Sequence, residues 1–307
     1  MGGSSAAPVR VICGPTASGK TFAACWFARH AAITVISADS RQLYKGFDIG
    51  TAKPTRQELD AVPHLGIDVL EPTERASAAE WASRADVWIA DVVAGGRTPV
   101  VVGGTGLYLR ALFGELFEEP PLDVGRREAM QRALAGHATE ELRRWVAALD
   151  PSRAHLGRTQ LLRAIEMALL TGRRVSDLHR ENARAPRRRA RYLVVDPGPS
   201  LAGKISDRTR IMFAAGWADE VRGLMRDLPP DAPAWNATGY RTVRELEQGH
   251  ISREEAESRV AVATRQYAKR QRTWFRHQLA GDDVTRLSTD QPDWAERAMA
   301  WWGNESA

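Results

Sequence analysis

Val9-Arg10-Val11-Ile12-Cys13-Gly14-Pro15-Thr16-Ala17-Ser18-Gly19-Lys20-Thr21 is the stretch on which the reading of the chain turns. Residues 9–13 form a short apolar run that stops at a glycine, as a buried parallel strand does. Residues 14–21 fit G-x-x-x-x-G-K-[ST], and residues 20–32 read as the helix behind it. Glycines at both ends of such a loop let the backbone curl until its N–H groups point inward. With the helix N-terminus, those groups bind phosphate oxygens. Gly14, Thr16, Ala17, Ser18, Gly19, Lys20 and Thr21 are therefore the candidate phosphate contacts. Lys20 adds a point charge, and Thr21 offers a hydroxyl to Mg²⁺. A chance glycine turn would lack one flank or the other.

Strand and helix go on alternating. Residues 33–37 and 99–102 are apolar strands. Residues 77–93 are helical, with Trp81, Ala85, Trp88 and Val92 near one face. Alternation of this kind predicts a parallel sheet with helices on its faces. From residue 123 to 178 only helical periodicity remains. Leu142, Trp145, Val146 and Leu149 make one stripe, and Leu161, Leu162, Ile165, Leu169 and Leu170 another. A strand returns at residues 192–195, and the remainder reads as helices over 201–228, 240–247 and 253–279. The fold class is α/β: a P-loop core with a parallel sheet flanked by helices, plus an inserted all-helical domain. The expected limits are 9–118 for the first part of the core, 119–190 for the insertion and 191–307 for the completion of the core. The Arg-rich, Pro-broken residues 180–191 are the linker candidate.

Composition narrows the class. Of 307 residues, 43% are hydrophobic and 26% charged, as in soluble globular proteins. No apolar run approaches the ~20 residues that cross a bilayer, so no membrane partner is expected. The first eight residues lack the order of a signal peptide and read as a disordered leader. The two cysteines, Cys13 and Cys25, fall in a strand and a helix, which argues against a disulfide framework or a metal site and fits the cytoplasm. A net charge of +5 suits a polyanionic partner. Arginines crowd residues 173–191, and Arg265, Lys269, Arg272 and Arg276, spaced four, three and four apart, share one helical face. That face is either a track for nucleic-acid phosphates or a solvated helix surface. Residues 187–191 are an RNA arm or a solubilising linker. His64 reads as a buried hydrogen-bonding residue, and the tryptophans as core before base-stacking platforms.

A phosphate cradle does not by itself mean ATP. A hydrolytic or kinase P-loop protein needs an aspartate ending another core strand. Here the strand at 99–102 ends in Gly103-Gly104-Thr105-Gly106, while Asp39 follows the second strand within Ser37-Ala38-Asp39-Ser40-Arg41-Gln42. In a parallel sheet that segment faces the ligand crevice. Beside a bound diphosphate, Asp39 is a metal ligand or a general base; a helix-capping role is the bland alternative. The pattern suits a diphosphate held while its other bond breaks.

These pieces resemble the tRNA dimethylallyltransferase family, in its bacterial form without a C-terminal zinc finger. The resemblance rests on residues 14–21 and 37–46, Asp48-Ile49-Gly50-Thr51-Ala52-Lys53-Pro54, Pro63-His64-Leu65 and Val102-Gly103-Gly104-Thr105-Gly106-Leu107-Tyr108. Arg163-Ala164-Ile165-Glu166, Gly239-Tyr240-Arg241 and residues 264–276 complete it, in the family's order. It implies transfer of the dimethylallyl group from dimethylallyl diphosphate to the N6 amine of the adenosine 3′-adjacent to the anticodon of tRNA, with Mg²⁺ assisting the release of diphosphate. By position, Asp39 resembles the general base and Thr105 the hydroxyl on the oxygen between prenyl group and diphosphate. Lys20, Thr21 and Arg208 resemble the diphosphate and metal contacts. Asp39, Ser40, Arg41 and Gln42 resemble the segment that meets the target adenosine, and Arg127, Gln160 and Arg163 resemble tRNA contacts in the insertion. Many members carry Asn-Asp and Arg before the Arg-Ala-Leu-Glu segment, where this chain has Leu156, Gly157 and Gln160. A monomer is expected. The competing classes are a small-molecule P-loop kinase, a nucleotide-dependent RNA-binding switch and a prenyltransferase acting on free adenine nucleotides.

Overall fold

The computed structural model describes residues 7–114, 116–117, 122–181, 183–184 and 186–303. Residues 1–6 of the expected leader, and the side chain of Arg184, lie outside the described residues. The chain divides into two units: Met1–Gly114 with Arg187–Ala307, and Glu115–Pro186.

The first unit begins with β1 (Val9–Cys13), the phosphate-loop residues and α1 (Lys20–Ala28). Next come β2 (Ile33–Ser37), α2 (Arg56–Ala61), β3 (His64–Leu65), α3 (Ala78–Ala94), β4 (Thr98–Gly103) and α4 (Gly106–Phe113). Ser77 opens α3 with a capping box: its side chain accepts the Glu80 N–H at 3.1 Å, and Glu80 accepts the Ser77 N–H at 3.1 Å.

The second unit holds β5 (Leu116–Phe117), α5 (Val124–Leu134), α6 (Thr139–Leu149), α7 (Arg158–Thr171), α8 (Val175–Glu181) and β6 (Ala183–Arg184). Its helices bury Leu142, Val146, Leu161 and Ile165 around one apolar cluster. The two stripes seen in the sequence meet there in part, because residues at i, i+3 and i+4 share a helix face; Trp145 and Leu169, also in the stripes, are exposed instead. The antiparallel ladder β5–β6 has no counterpart in the sequence reading; two-residue strands carry no readable alternation.

The first unit resumes with β7 (Ala190–Val195), α9 (Leu201–Ala214), α10 (Trp217–Asp227), α11 (Tyr240–Glu247), α12 (Arg253–Gln278), β8 (Val284–Leu287) and α13 (Trp294–Gly303). Several details differ from the sequence reading, which also lacks α2, β3 and α13. The helix expected over 201–228 breaks at Gly216, whose φ of +95° starts a second helix. The first helix stops at Ala28 rather than residue 32. The tail also contains a strand, β8, in a Val-Thr-Arg-Leu run too short to stand out.

Six strands form one sheet in the order β3-β2-β4-β1-β7-β8, and each pairing is parallel. The middle strands are apolar on both faces because helices cover both. Ile12, Phe27, Val100, Leu193, Trp294 and Trp301 make one such layer. Arg187 and Arg188, in the linker candidate, are anchored on α3: Arg187 donates to Ser83 Oγ at 3.1 Å, and Arg188 pairs with Asp86 at 2.6 Å. No helix among the described residues is long and apolar enough to cross a membrane.

Candidate active site

Strand order decides what can meet at the carboxyl edge of the sheet. β4 lies between β1 and β2, so the segments leaving these three strands become neighbours. β1 leads into the phosphate loop, β2 into Asp39 and β4 into Gly103-Gly104-Thr105. Close approach of backbones is what the glycines permit. A Cβ on Gly14 would fall 2.1 Å from the Val195 carbonyl oxygen, and one on Gly103 would fall 2.2 Å from that of Ala38.

The three segments surround a cavity of about 120 Å³. Thr16, Ala17, Lys20, Thr21, Asp39, Arg41 and Gln42 line it, with Gly103 from β4. Arg208 joins them from α9 and donates to Thr16 Oγ1 at 3.3 Å. Burial pushes Lys20 down to about 8, an effect that Asp39 opposes and Arg208 reinforces. Burial also lowers Arg208, again opposed by Asp39. Lys20, Arg41 and Arg208 thus share the cavity lining with the one carboxylate of Asp39, and the cations are in excess. Such a space favours an anion with more than one charge.

Asp39 accepts the Arg41 N–H at 2.9 Å, an Asx-type turn that fixes its carboxylate at the strand end. Thr105 is not among the lining residues; its Oγ1 accepts the Ser40 N–H at 3.0 Å. Gln42 donates to the Ala52 carbonyl at 2.9 Å and accepts from the Ser37 hydroxyl at 3.1 Å, so its amide is already engaged. Lys53 sits under the same loop, bonded to the Tyr44 carbonyl and paired with Asp48 and Asp68. Ser18 is buried, and its hydroxyl has no hydrogen-bond partner among the described residues. His64 is half-buried, with Nδ1 at 2.8 Å from the Val62 carbonyl; burial lowers its pKa.

In the second unit, Arg127 Nε and Arg163 Nη1 both bond buried Glu166, at 3.2 and 2.9 Å, while Gln160 is exposed. On α12, Arg265, Lys269 and Arg276 are exposed. Arg272 departs from the expected phosphate-tracking face, because its guanidinium is taken up by Asp196 and the Gly198 carbonyl.

Sequence reasoning gave no role to the other wall of the cavity. α12 lines it with Val260, Thr264, Tyr267 and Gln271, and α10 with Trp217. The signal was a helical stripe at i, i+4, i+7 and i+11 on the inner side of a helix whose charges attract the eye.

A family model described as IPP transferase matches residues 42–278, and one described as isopentenyl transferase matches residues 7–69. The chain belongs to the tRNA dimethylallyltransferase family. The tRNA dimethylallyltransferase of Myxococcus xanthus is 41% identical over 281 residues, which is 90% of this chain and 91% of that protein. That of Thermus thermophilus is 41% identical over 280 residues, with the same coverage of both chains. Among solved structures, the tRNA isopentenylpyrophosphate transferase of Bacillus halodurans is 30% identical, with a TM-score of 0.67 over 95% of this chain and 93% of that one. A eukaryotic dimethylallyltransferase acting on tRNA shares the fold, with a TM-score of 0.76 at 24% identity over 96% of this chain and 78% of that one.

Proposed function

We infer that this enzyme transfers the dimethylallyl group of dimethylallyl diphosphate to the N6 amine of the adenosine 3′-adjacent to the anticodon in tRNA. One observation carries the reading. The phosphate loop, Asp39 and the Thr105 loop leave three adjacent strands and converge at one cavity, in a chain of this family.

The roles follow from the chemistry. The bond between the prenyl C1 and diphosphate breaks, its electron pair leaves with diphosphate, and the amine nitrogen forms the new bond to C1. An aromatic amine is a weak nucleophile, so Asp39 accepts its proton. The N–H groups of the loop, Lys20 and Arg208 take up the charge growing on diphosphate. Thr105 directs its hydroxyl to the oxygen being released. The target base must leave its stack to enter, which a single-stranded anticodon loop permits.

The donor set suits Mg²⁺. Thr21 offers one hard oxygen at the cavity, and no group of three His, Cys, Asp or Glu side chains that could hold a metal occurs among the described residues. That is the sparse protein shell of a magnesium ion bound mainly through phosphate oxygens and water. Bound there, Mg²⁺ would neutralise part of the diphosphate charge. In this reading the enzyme is a cytoplasmic monomer. Arg265, Lys269 and Arg276 on α12, with Arg127, Gln160 and Arg163 in the second unit, meet the tRNA.

The test is transfer of label from dimethylallyl diphosphate to unmodified tRNA with and without Mg²⁺, against AMP as acceptor and ATP as donor. Label on the adenosine beside the anticodon is expected. Label on AMP, or phosphate moved from ATP, would replace the reading.

A further inference from the structure

We propose that Gln271 is a positioning residue for the transfer reaction, setting the phosphate loop and the Thr105 loop at a fixed separation. The inference rests on the reaction inferred above. Gln271 is buried on α12 and lines the cavity. Its Oε1 accepts the Thr16 N–H at 2.8 Å, and its Nε2 donates to the Gly104 carbonyl at 2.9 Å. One amide therefore bonds the backbones of the two loops that, in the reaction inferred above, hold the leaving group: one its phosphate oxygens, the other the oxygen released from C1.

The connection continues on both sides. From Gly104 the chain passes to Thr105, whose N–H donates to the Ala38 carbonyl at 3.1 Å and whose Oγ1 accepts the Ser40 N–H at 3.0 Å. Asp39 lies between those two partners. On the other side, Thr16 Oγ1 accepts from Arg208 at 3.3 Å. An unbroken line of hydrogen bonds and covalent links runs from Arg208 through Thr16, Gln271 and Gly104 to the segment bearing Asp39. Gly104 is part of the design: a Cβ there would fall 2.4 Å from Gln271 Nε2.

A neutral amide satisfies both loops at once, since one needs an acceptor and the other a donor. A carboxylate in the same place keeps the acceptor for Thr16 but turns an anion toward the Gly104 carbonyl. A protonated glutamic acid restores both bonds. Misplacement of reacting groups by about 1 Å costs ~10²-fold in rate. The effect belongs in kcat, because the loop's other N–H groups and Lys20 still hold diphosphate.

The experiment compares wild type, Gln271→Glu and Gln271→Ala in prenyl transfer across pH 5.5–8.5, with pyrophosphate binding measured in parallel. Lys20, Asp39, Arg41, Arg208 and Tyr267 face the same cavity in all three proteins, so the ratio of rates isolates position 271. At pH 8, Gln271→Glu is expected to lose about 10²-fold in kcat with less than about 3-fold change in pyrophosphate affinity, a shift under one factor of ten. Its deficit against wild type should shrink as pH falls, whereas Gln271→Ala stays low throughout. A constant Glu-to-wild-type ratio across pH, or a loss confined to pyrophosphate affinity, would overturn the proposal.

Gly104→Ala approaches the same bond from the other side. It should be slow alone and cost much less in a Gln271→Ala background; additive losses would count against the clamp. If wild type transferred no prenyl group at all, the reaction itself would fall and the positioning role with it.

Discussion

Arg272 grips Asp196, with Nε at 2.9 Å from Oδ2 and Nη2 on Oδ1, and Nη2 also donates to the Gly198 carbonyl at 2.5 Å. α12 therefore divides its cations between two tasks: Arg272 fastens the segment after β7, while Arg265, Lys269 and Arg276 are exposed. Replacing those three by alanine should lower the log–log salt slope of tRNA binding by as much as ~2–3, near one unit per phosphate contact. Arg272→Ala should leave that slope unchanged and cost about 1 kcal/mol of stability, the scale of a partly exposed bidentate pair. Filter binding over a salt series and thermal melts separate the two; an equal slope change from Arg272→Ala would return it to the tRNA face.

In the proposed reaction, Lys20 should make the binding of diphosphate depend on pH. Its pKa is lowered to about 8 by burial. The charged form attracts diphosphate, so the anion raises this pKa when it binds. Affinity should be greatest below about 8 and decline as pH rises through it, with proton uptake on binding near pH 8. Calorimetry in buffers of different ionisation enthalpy measures the uptake. Lys20→Arg should abolish it, because a guanidinium keeps its proton.

Thr105 holds the Ser40 N–H, and the proposed reaction gives its hydroxyl a second task. Thr105→Ala should cost ~10²–10³-fold in transfer rate, the scale for one transition-state donor. Thr105→Ser keeps the hydroxyl and the bond to Ser40, and should stay within about tenfold of wild type by the same measure. A serine variant as slow as the alanine one would assign the loss to packing of the methyl group.

Gly50 is flattened against Trp217: a Cβ there would fall 2.2 Å from the indole Nε1 and Cε2. Gly50→Ala should destabilise by about 1–3 kcal/mol, as overpacking does. The Trp217 indole N–H is buried without a partner among the described residues, so Trp217→Phe breaks no hydrogen bond there and gives the added methyl room. In urea titrations the double variant should be more stable than the sum of the single losses by about 1 kcal/mol.

Much of the cavity's phosphate-loop end was legible in the chain. Local rules place Lys20 and Thr21 at the start of α1 and Asp39 just past β2, because a glycine loop between an apolar run and a helix admits few conformations. The inner wall was not legible in this way. Gln271 lies 255 residues from Thr16, and nothing local distinguishes a glutamine that bonds two loops from one facing water. Arg272 shows the same limit from the other side. Its spacing puts it with Arg265 and Lys269, and only Asp196, arriving from the end of β7, takes it away from them. β8 and the break at Gly216 were missed because a four-residue strand and one left-handed glycine leave the average pattern of a helical tail almost unchanged.

By itself the amino-acid sequence determined the phosphate loop, the alternation that demands a parallel sheet, the helical insertion and the family, because each depends on short-range periodicity or on residues at fixed spacing. Tertiary structure alone decided which segments face one another: β4 between β1 and β2, Gln271 between Thr16 and Gly104, and Arg272 on Asp196. Those choices follow from the order of strands and from the pairing of buried polar groups, which the chain satisfies only once distant segments have come together.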